Sequence, residues 1–201
     1  MKMMGFSVIL LCATLLNTRS AHAQIDDQKK ACAGGEKAAI DAAVQATKDG
    51  LQKTITALKS NATVDQDRYI KWFGAGTPAD IKAVISTYET MLPLSIISAY
   101  WCPKVNNLAF AWDVGDFAAV DPAAPGAMFF APDFFTKPLT GANTQAGTVV
   151  HELAHQAGAK LRPEVRGPSA VKSLAKTNPA NASRNADNYK YYVEDLLWGV
   201  P

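Results

Sequence analysis

The sequence predicts an α+β domain in which helices come first, a small sheet follows, and a further helix carries two histidines. Three observations support this fold class. An apolar stripe recurs at helical spacing over residues 36–60, short apolar runs separated by turn residues begin near Leu94, and helical spacing returns over residues 144–158. The sequence contains no internal repeat or interdomain linker, so a single domain at 24–201 is expected.

Residues 1–23 are typical of a cleavable export signal. One early lysine precedes an apolar run at 6–16, and the segment ends in a small-x-small triplet at 21–23. The run is too short to span a bilayer. We therefore expect an exported protein, periplasmic or extracellular, that has no membrane contact once the signal is removed.

The charge balance argues against nucleic acid as a partner. The chain has 20 Lys+Arg and 18 Asp+Glu, and Lys2 and Arg19 lie in the predicted signal, so 18 basic and 18 acidic residues remain. No basic block alternates with aromatic residues. Neither nucleic acid nor an anionic membrane surface is expected to bind the mature chain.

Two cysteines remain after the signal, Cys32 and Cys102. In an exported chain such a pair is expected to form a disulfide. The bond would close a loop of about 70 residues and stabilise the fold by roughly 4 kcal/mol in the chain-entropy model. A zinc–thiolate site is the weaker alternative, because neither cysteine has a neighbouring ligand at the spacing of a zinc motif.

The elements follow in order along the chain. A first helix covers residues 36–60, and a second begins with Thr77 as N-cap, Pro78 in the first helical position and Asp80 three residues after the cap. The aromatic segment between them, residues 67–74, is more typical of a core than of a ligand site.

Strands and further helices are predicted for the rest of the chain. The third predicted strand, residues 127–135, contains Pro132, which makes it an edge strand or an irregular one. Asn143 or Thr144 caps the helix with the histidines. The predicted strands are 95–102, 108–114 and 127–135, and the later helices cover 169–176 and roughly 180–197.

The segment "VVHELAH" at 149–155 carries the strongest chemical signal. His151 and His155 are four residues apart, so on a helix they share one face, where two imidazoles can bind one Zn²⁺. Glu152 points to the side of that face, where it can act as general base toward a metal-activated water. The alternative is a solvated helix with two histidines. It is disfavoured because only these two histidines remain once the signal, with His22, is removed.

A catalytic zinc usually has three protein ligands and an open fourth position. Since no third histidine remains, the third ligand is expected to be a carboxylate. Glu164 lies nine residues after His155, and Gly158 and Pro163 allow the chain to turn between them. The downstream candidates are Glu164, Asp187, Glu194 and Asp195.

Several longer segments match one protein family in the same order along the chain. They are "YIKWFG" at 69–74, "YWCP" at 100–103, "AGTVVHELAH" at 146–155, "SLAKTNPANA" at 173–182 and "NADNYKYYVED" at 185–195. The sequence resembles the deuterolysin-like zinc endopeptidases, or aspzincins, and among them the lysine-specific metallo-endopeptidases. The resemblance implies a zincin-like metalloprotease domain with one Zn²⁺ per chain, and we expect a secreted monomer that hydrolyses peptides or proteins.

The resemblance also assigns roles by position, including a pocket aspartate that faces the substrate lysine in the family. The residues carried over are the zinc ligands His151 and His155, the catalytic base Glu152, the disulfide Cys32–Cys102 and the pocket residue Asp187.

The loop after the histidines departs from the family pattern. The family has Gly-Thr-x-Asp-x-x-Tyr-Gly, in which the aspartate is the third ligand and the tyrosine steadies the oxyanion; this chain reads "GAKLRPEVRG" at 158–167. Counted from His155, Glu164 stands at the aspartate's distance. Counted back from Gly167, the loop is one residue shorter than in the family, and Pro163 stands at the position of the aspartate. The extra methylene of glutamate suits a shorter loop, so Glu164 is the predicted third ligand.

Two further positions differ from the family. Arg166 stands where the tyrosine is expected, and its guanidinium either stabilises an oxyanion or is a surface charge. Lys190 stands where the lysine-specific enzymes have a second pocket acid, so preference for a substrate lysine is not expected.

The expected function is therefore zinc-dependent endopeptidase activity, with the peptide along an edge strand within Ala127–Pro132. Two alternatives stay open. In the first, which the altered loop suggests, the protein is a catalytically impaired zinc-binding or protein-binding module. In the second, Glu194 replaces Glu164 as the third ligand and activity is retained.

Overall fold

The fold is taken from a computed structural model, which describes residues 29–60, 62–97, 99–103, 118–120 and 127–199. The predicted signal at 1–23 and the predicted strand at 108–114 lie outside these residues. Within the described ranges, no helix is both long enough and apolar enough to cross a membrane.

Three helices form the N-terminal part: α1 (Gly34–Ser60), α2 (Thr63–Phe73) and α3 (Pro78–Leu94). Helix α3 begins as predicted, because Thr77 and Asp80 exchange hydrogen bonds in a capping box. Helix α2 contains the aromatic segment and buries it, which confirms its role in the core. The stripe of α1 is also buried: Ile40, Val44, Thr47, Leu51, Ile55 and Leu58.

Within the residues that the structure describes, four strands form one sheet: β1 (Lys29–Ala31), β2 (Ala99–Pro103), β3 (Ala118–Val120) and β4 (Ala127–Phe130), in the order β1-β2-β4-β3. Strands β2 and β4 are parallel, and the two outer pairs are antiparallel. The predicted strand at 95–102 was too long at its start, since β2 begins at Ala99.

For the run at 127–135, predicted as an edge strand or an irregular one, the edge position is wrong, and so is the expected edge for a peptide within Ala127–Pro132. Strand β4 pairs with β2 on one side and β3 on the other, and all four of its residues are buried. It ends at Phe130, because Pro132 begins a 3₁₀ turn (Pro132–Thr136) instead of extending the ladder. Among the described strands, the edge on this side of the sheet is β3.

A disulfide ties the sheet to α1. Cys32 and Cys102 are bonded, with 5.1 Å between their Cα atoms, which confirms the predicted pairing. The amide of Cys32 also donates to the carbonyl of Tyr100 on β2 at 3.1 Å. The bond therefore fixes the start of α1 on the sheet.

The C-terminal part contains α4 (Gln145–Gln156), α5 (Pro168–Thr177), α6 (Pro179–Ala182) and α7 (Ala186–Trp198). The single helix predicted over 180–197 is wrong, because the chain leaves helical geometry between α6 and α7. Asn185 is extended there, and its side chain bonds to the backbone of Val165 instead of continuing a helix. Helix α4, which carries the histidines, packs against α1, α3, α7 and β3.

Helix α7 lies in the interior of the fold. Its tyrosines Tyr189 and Tyr192 pack against Phe73 and Tyr88 from α2 and α3. Three charged residues of α7, Asp187, Lys190 and Glu194, are buried as well. They contact α4 or the residues beside it, so α7 carries polar contacts to the helix with the histidines.

Candidate metal centre

Helix α4 starts at a buried, fully hydrogen-bonded N-terminus. The hydroxyl of Thr144 accepts a hydrogen bond from the amide of Gly147 at 2.8 Å, so Thr144, one of the two predicted caps, is the N-cap. The carboxylate of Glu194 accepts from the amide and hydroxyl of Thr144, both at 3.0 Å, and from the amide of Asn143 at 3.1 Å. Glu194 thus holds the start of α4.

Lys190 completes this arrangement. Its ammonium donates to the side-chain oxygen of Asn143 at 3.0 Å. Burial raises the pKa of Glu194; the Lys190 charge and the donors from Thr144 and Asn143 lower it by less, so the pKa lies above its usual value. Within the described residues, the hydrogen bonds that Glu194 accepts come from Asn143 and Thr144 at the start of α4, which does not support its role as a metal ligand.

Three atoms that could bind a metal converge at the other end of α4. The Nε2 atoms of His151 and His155 are 3.1 Å apart. Oε1 of Glu164 lies 3.4 Å from the first and 3.3 Å from the second. All three side chains are largely buried, with exposed fractions of 12%, 17% and 5% in the same order.

These atoms fit a zinc ion. In a tetrahedral site with bonds of about 2.1 Å, ligand atoms are about 3.4 Å apart, close to the spacing seen here. Oε1 of Glu164 is buried and, within the described residues, accepts no hydrogen bond of good geometry. Burying a carboxylate oxygen without a donor is costly, and a cation between the three atoms would relieve that cost.

The outer nitrogens of both imidazoles are held by acceptors. Nδ1 of His155 lies 2.8 Å from the carbonyl of Ala159, which can only accept, so this nitrogen carries the proton. Nδ1 of His151 lies 2.8 Å from Oδ1 of Asp187. Each ring therefore presents Nε2 toward Glu164, as metal-bound histidines commonly do. Burial lowers the pKa of His155, but the carboxylates of Glu164 and Glu152 raise it more.

Asp187 lies behind His151. Its second oxygen accepts from the amide of Gly167 at 3.0 Å, so both oxygens have partners. Burial raises the pKa of Asp187, while His151, Lys190 and this amide lower it below the usual value. Of the other candidate acids, Asp195 accepts from Trp72 at 2.7 Å and pairs with Lys71 at 3.0 Å. In the described part of the chain, only Glu164 joins the two histidines as a possible metal group.

A side chain that the sequence reasoning missed positions the loop that carries Glu164. Asn185 is fully buried; its oxygen accepts from the amide of Val165 at 2.9 Å and its nitrogen donates to the carbonyl at 2.8 Å. The amide of Leu161 donates to the carbonyl of Arg184 at 2.8 Å. Asn185 lies inside the single helix predicted over roughly 180–197, so no local pattern indicated a contact twenty residues away.

Arg166 and Glu152 lie beside the three ligand atoms. Nε of Arg166 donates to Oε2 of Glu164 at 3.0 Å. Burial raises the pKa of Glu164, but the histidines and Arg166 together hold it below its usual value. The carboxylate of Glu152 is buried, with Oε1 at 4.0 Å from Nε2 of His151. The histidines, both glutamates and Arg166 thus form one cluster.

A helix with HExxH spacing, a downstream acid beside the two histidines and a small mixed sheet define a zincin-like metallopeptidase domain. The family profile described as "Lysine-specific metallo-endopeptidase" matches residues 57–194. The chain belongs to this aspzincin family of zinc-dependent metalloendopeptidases.

Individual proteins agree with this assignment. The chain is 30% identical over 166 residues to a peptidyl-Lys metalloendopeptidase of Armillaria mellea, covering 82% of this chain and 45% of the relative. It is 28% identical over 169 residues to an extracellular protease of Aeromonas hydrophila, covering 82% and 46%. The structure of a zinc peptidase from Grifola frondosa superposes with a TM-score of 0.69 at 31% identity, covering 82% of this chain and 98% of that one. The chain thus spans a little under half the length of the two curated relatives.

Proposed function

We propose that this chain is an exported, monomeric zinc endopeptidase that hydrolyses internal peptide bonds of peptides or proteins. The observation that carries the proposal is the convergence of His151, His155 and Glu164 beside Glu152, in a chain of a metalloendopeptidase family. The Cys32–Cys102 bond supports export, because disulfides persist in oxidising compartments. The name of the Aeromonas relative agrees with export.

The two histidines and Glu164 would hold one Zn²⁺ per chain. When bound there, the ion supplies Lewis-acid chemistry, polarising a peptide carbonyl and lowering the pKa of a water molecule. The role of His151 depends on Asp187, whose carboxylate fixes the ring with Nε2 toward Glu164.

Glu152 is proposed as the general base. Its buried carboxylate follows His151 directly on α4 and lies to the side of the ligand atoms. From there it accepts a proton from the attacking water and delivers it to the nitrogen of the leaving amine.

The substrate is proposed to bind along β3. This strand is the described edge of the sheet on that side, it runs antiparallel to β4, and it packs against α4. A peptide can add to such an edge as a further strand through backbone hydrogen bonds. This places the substrate one strand away from the position expected from the sequence.

We propose that the chain does not share the lysine preference that its Armillaria relative is named for. Asp187, the predicted pocket residue, has both oxygens engaged by His151 and Gly167. The Lys190 charge is also close enough to lower the pKa of Asp187. A cation near the pocket acid opposes a second cation from a substrate.

The test combines metal analysis with proteolysis. The purified protein should contain one zinc and cleave casein, and Glu152→Gln should keep the zinc while activity falls about 100- to 10,000-fold, because only the base is removed. A Glu152→Gln protein as active as the wild type would exclude the mechanism. One bound zinc without cleavage of any peptide in a library would instead indicate a catalytically impaired binding module.

A further inference from the structure

The two carboxylate oxygens of Glu164 have different neighbours. Oε1 lies between the imidazoles, at 3.4 Å from Nε2 of His151 and 3.3 Å from Nε2 of His155. Oε2 faces the other way and accepts a hydrogen bond from Nε of Arg166 at 3.0 Å. Only one oxygen of this carboxylate therefore points toward the histidines.

Hydrogen bonds hold the backbone on both sides of the Glu164–Arg166 ion pair. Val165, between the two side chains, has its amide and carbonyl bonded to the buried side chain of Asn185. Gly167, directly after Arg166, donates its amide to Asp187 at 3.0 Å. The guanidinium and the carboxylate thus meet from fixed backbone positions, although the Arg166 side chain is 43% exposed.

A charge-assisted hydrogen bond fixes the orientation of a carboxylate better than a neutral one, because it is shorter and stronger. A carboxylate ligand without such a partner can turn and bind a metal through either oxygen or both. Groups bonded to a ligand from outside the metal site commonly tune metal affinity for this reason.

We propose that Arg166 is a positioning residue that holds Oε2 of Glu164, so that Oε1 alone faces the metal. In this role Arg166 acts through Glu164 and not on the substrate. The sequence had suggested two other roles for Arg166, a partner of the oxyanion or a surface charge. This inference rests on the proposed zinc site.

A double-mutant cycle on zinc affinity tests the role. Metal-free wild type, Arg166→Ala, Glu164→Gln and the double variant are titrated with Zn²⁺ in competition with a chelating indicator. Arg166→Ala should weaken zinc binding about 10- to 100-fold in the wild-type background. In the Glu164→Gln background it should change affinity by no more than about twofold, the scatter of independent sites, because the carboxylate that it orients is gone.

Two further variants separate orientation from loss of charge. Arg162→Ala removes an exposed arginine from the same loop and should leave zinc affinity unchanged. Arg166→Lys should recover part of the affinity, since an ammonium can still donate to Oε2. With Co²⁺ in place of zinc, the visible absorption bands should change in Arg166→Ala, recover partly in Arg166→Lys and stay unchanged in Arg162→Ala.

Two results would overturn the inference and leave the proposed function intact. One is a wild type that binds zinc and cleaves casein together with an Arg166→Ala protein of equal zinc affinity and equal Co²⁺ spectrum. The other is an equal loss from Arg166→Ala in both backgrounds, which would mean that Arg166 does not act through Glu164. A wild type that binds no zinc would overturn the inference and the proposed function together.

Discussion

Two buried glutamates lie at opposite ends of α4, and they differ in how their oxygens are satisfied. At the N-terminal end, Glu194 accepts hydrogen bonds from two amides and a hydroxyl. At the other end, Glu164 has one oxygen held by Arg166 and one oxygen between two imidazoles, with no good donor among the described residues. Both carboxylates are buried, yet only one of them has an oxygen left for a cation.

The hydrogen bonds that each carboxylate oxygen accepts distinguish an acid with a structural role from a candidate metal ligand. A buried carboxylate with all donors in place stabilises the fold, whereas one oxygen without a donor is a cost unless something else binds it. Both glutamates were candidate third ligands in the sequence, and burial alone does not distinguish them. Four experiments test this difference between the two glutamates.

The largest expected effect is on metal binding. Glu164→Ala should weaken zinc affinity by more than the roughly 100-fold that loss of an outer partner causes, because it removes a ligand atom itself. Glu194→Ala should still bind one zinc at a temperature where it remains folded. Zinc titration of both variants checks this, and the reverse result would assign the third ligand to Glu194.

Stability without metal should show the opposite pattern. In the presence of a chelator, Glu194→Ala should lower the free energy of unfolding by about 3–5 kcal/mol, because it leaves the buried amides of Asn143 and Thr144 without their acceptor and removes the carboxylate charge near Lys190. Glu164→Ala should change it by about 1 kcal/mol or less, since its partner Arg166 is partly exposed. Urea unfolding curves measure both, and equal losses would contradict the distinction.

A pair of glycine substitutions tests the packing at Glu194. A Cβ on Gly147 would overlap Oε1 of Glu194, so Gly147→Ala should lower the free energy of unfolding by about 1–3 kcal/mol. Gly35, in the first turn of α1, has no heavy atom within 4 Å of an added Cβ. Gly35→Ala should therefore be neutral or stabilising by up to about 1 kcal/mol. Thermal unfolding of the pair would contradict the packing argument if both behaved alike.

The smallest effect concerns pH. Burial raises the pKa of Glu194 above its usual 4.5. A group whose folded pKa exceeds its unfolded pKa contributes stability that is fully present below the unfolded value and is lost as pH rises through the folded value. The destabilisation caused by Glu194→Gln should thus be larger at pH 4 than at pH 7. Urea unfolding of the chelator-treated wild type and Glu194→Gln across this pH range checks this. If the titration of Glu194 did not contribute to stability, the difference in their free energies of unfolding would be the same at every pH.

The features that could be predicted from the sequence are local. The spacing of His151 and His155, the Thr77–Asp80 capping box and the apolar stripe of α1 are set by neighbours within a turn or two, and periodicity reads such contacts directly. The disulfide could also be expected, because only Cys32 and Cys102 lie outside the predicted signal at 1–23 and two cysteines have one possible pairing.

The features that could not be predicted depend on contacts between residues far apart in the chain. Glu194 contacts Asn143 and Thr144 about fifty positions away, and Asn185 holds Val165 from twenty positions away. No local pattern encodes such contacts. The same holds for β4, because Pro132 indicated an edge strand or an irregular one, and only the pairing with β3 shows that β4 is not at the edge. Which carboxylate has an oxygen between the two imidazoles, and which described strand lies at the edge of the sheet, follow from packing between distant segments.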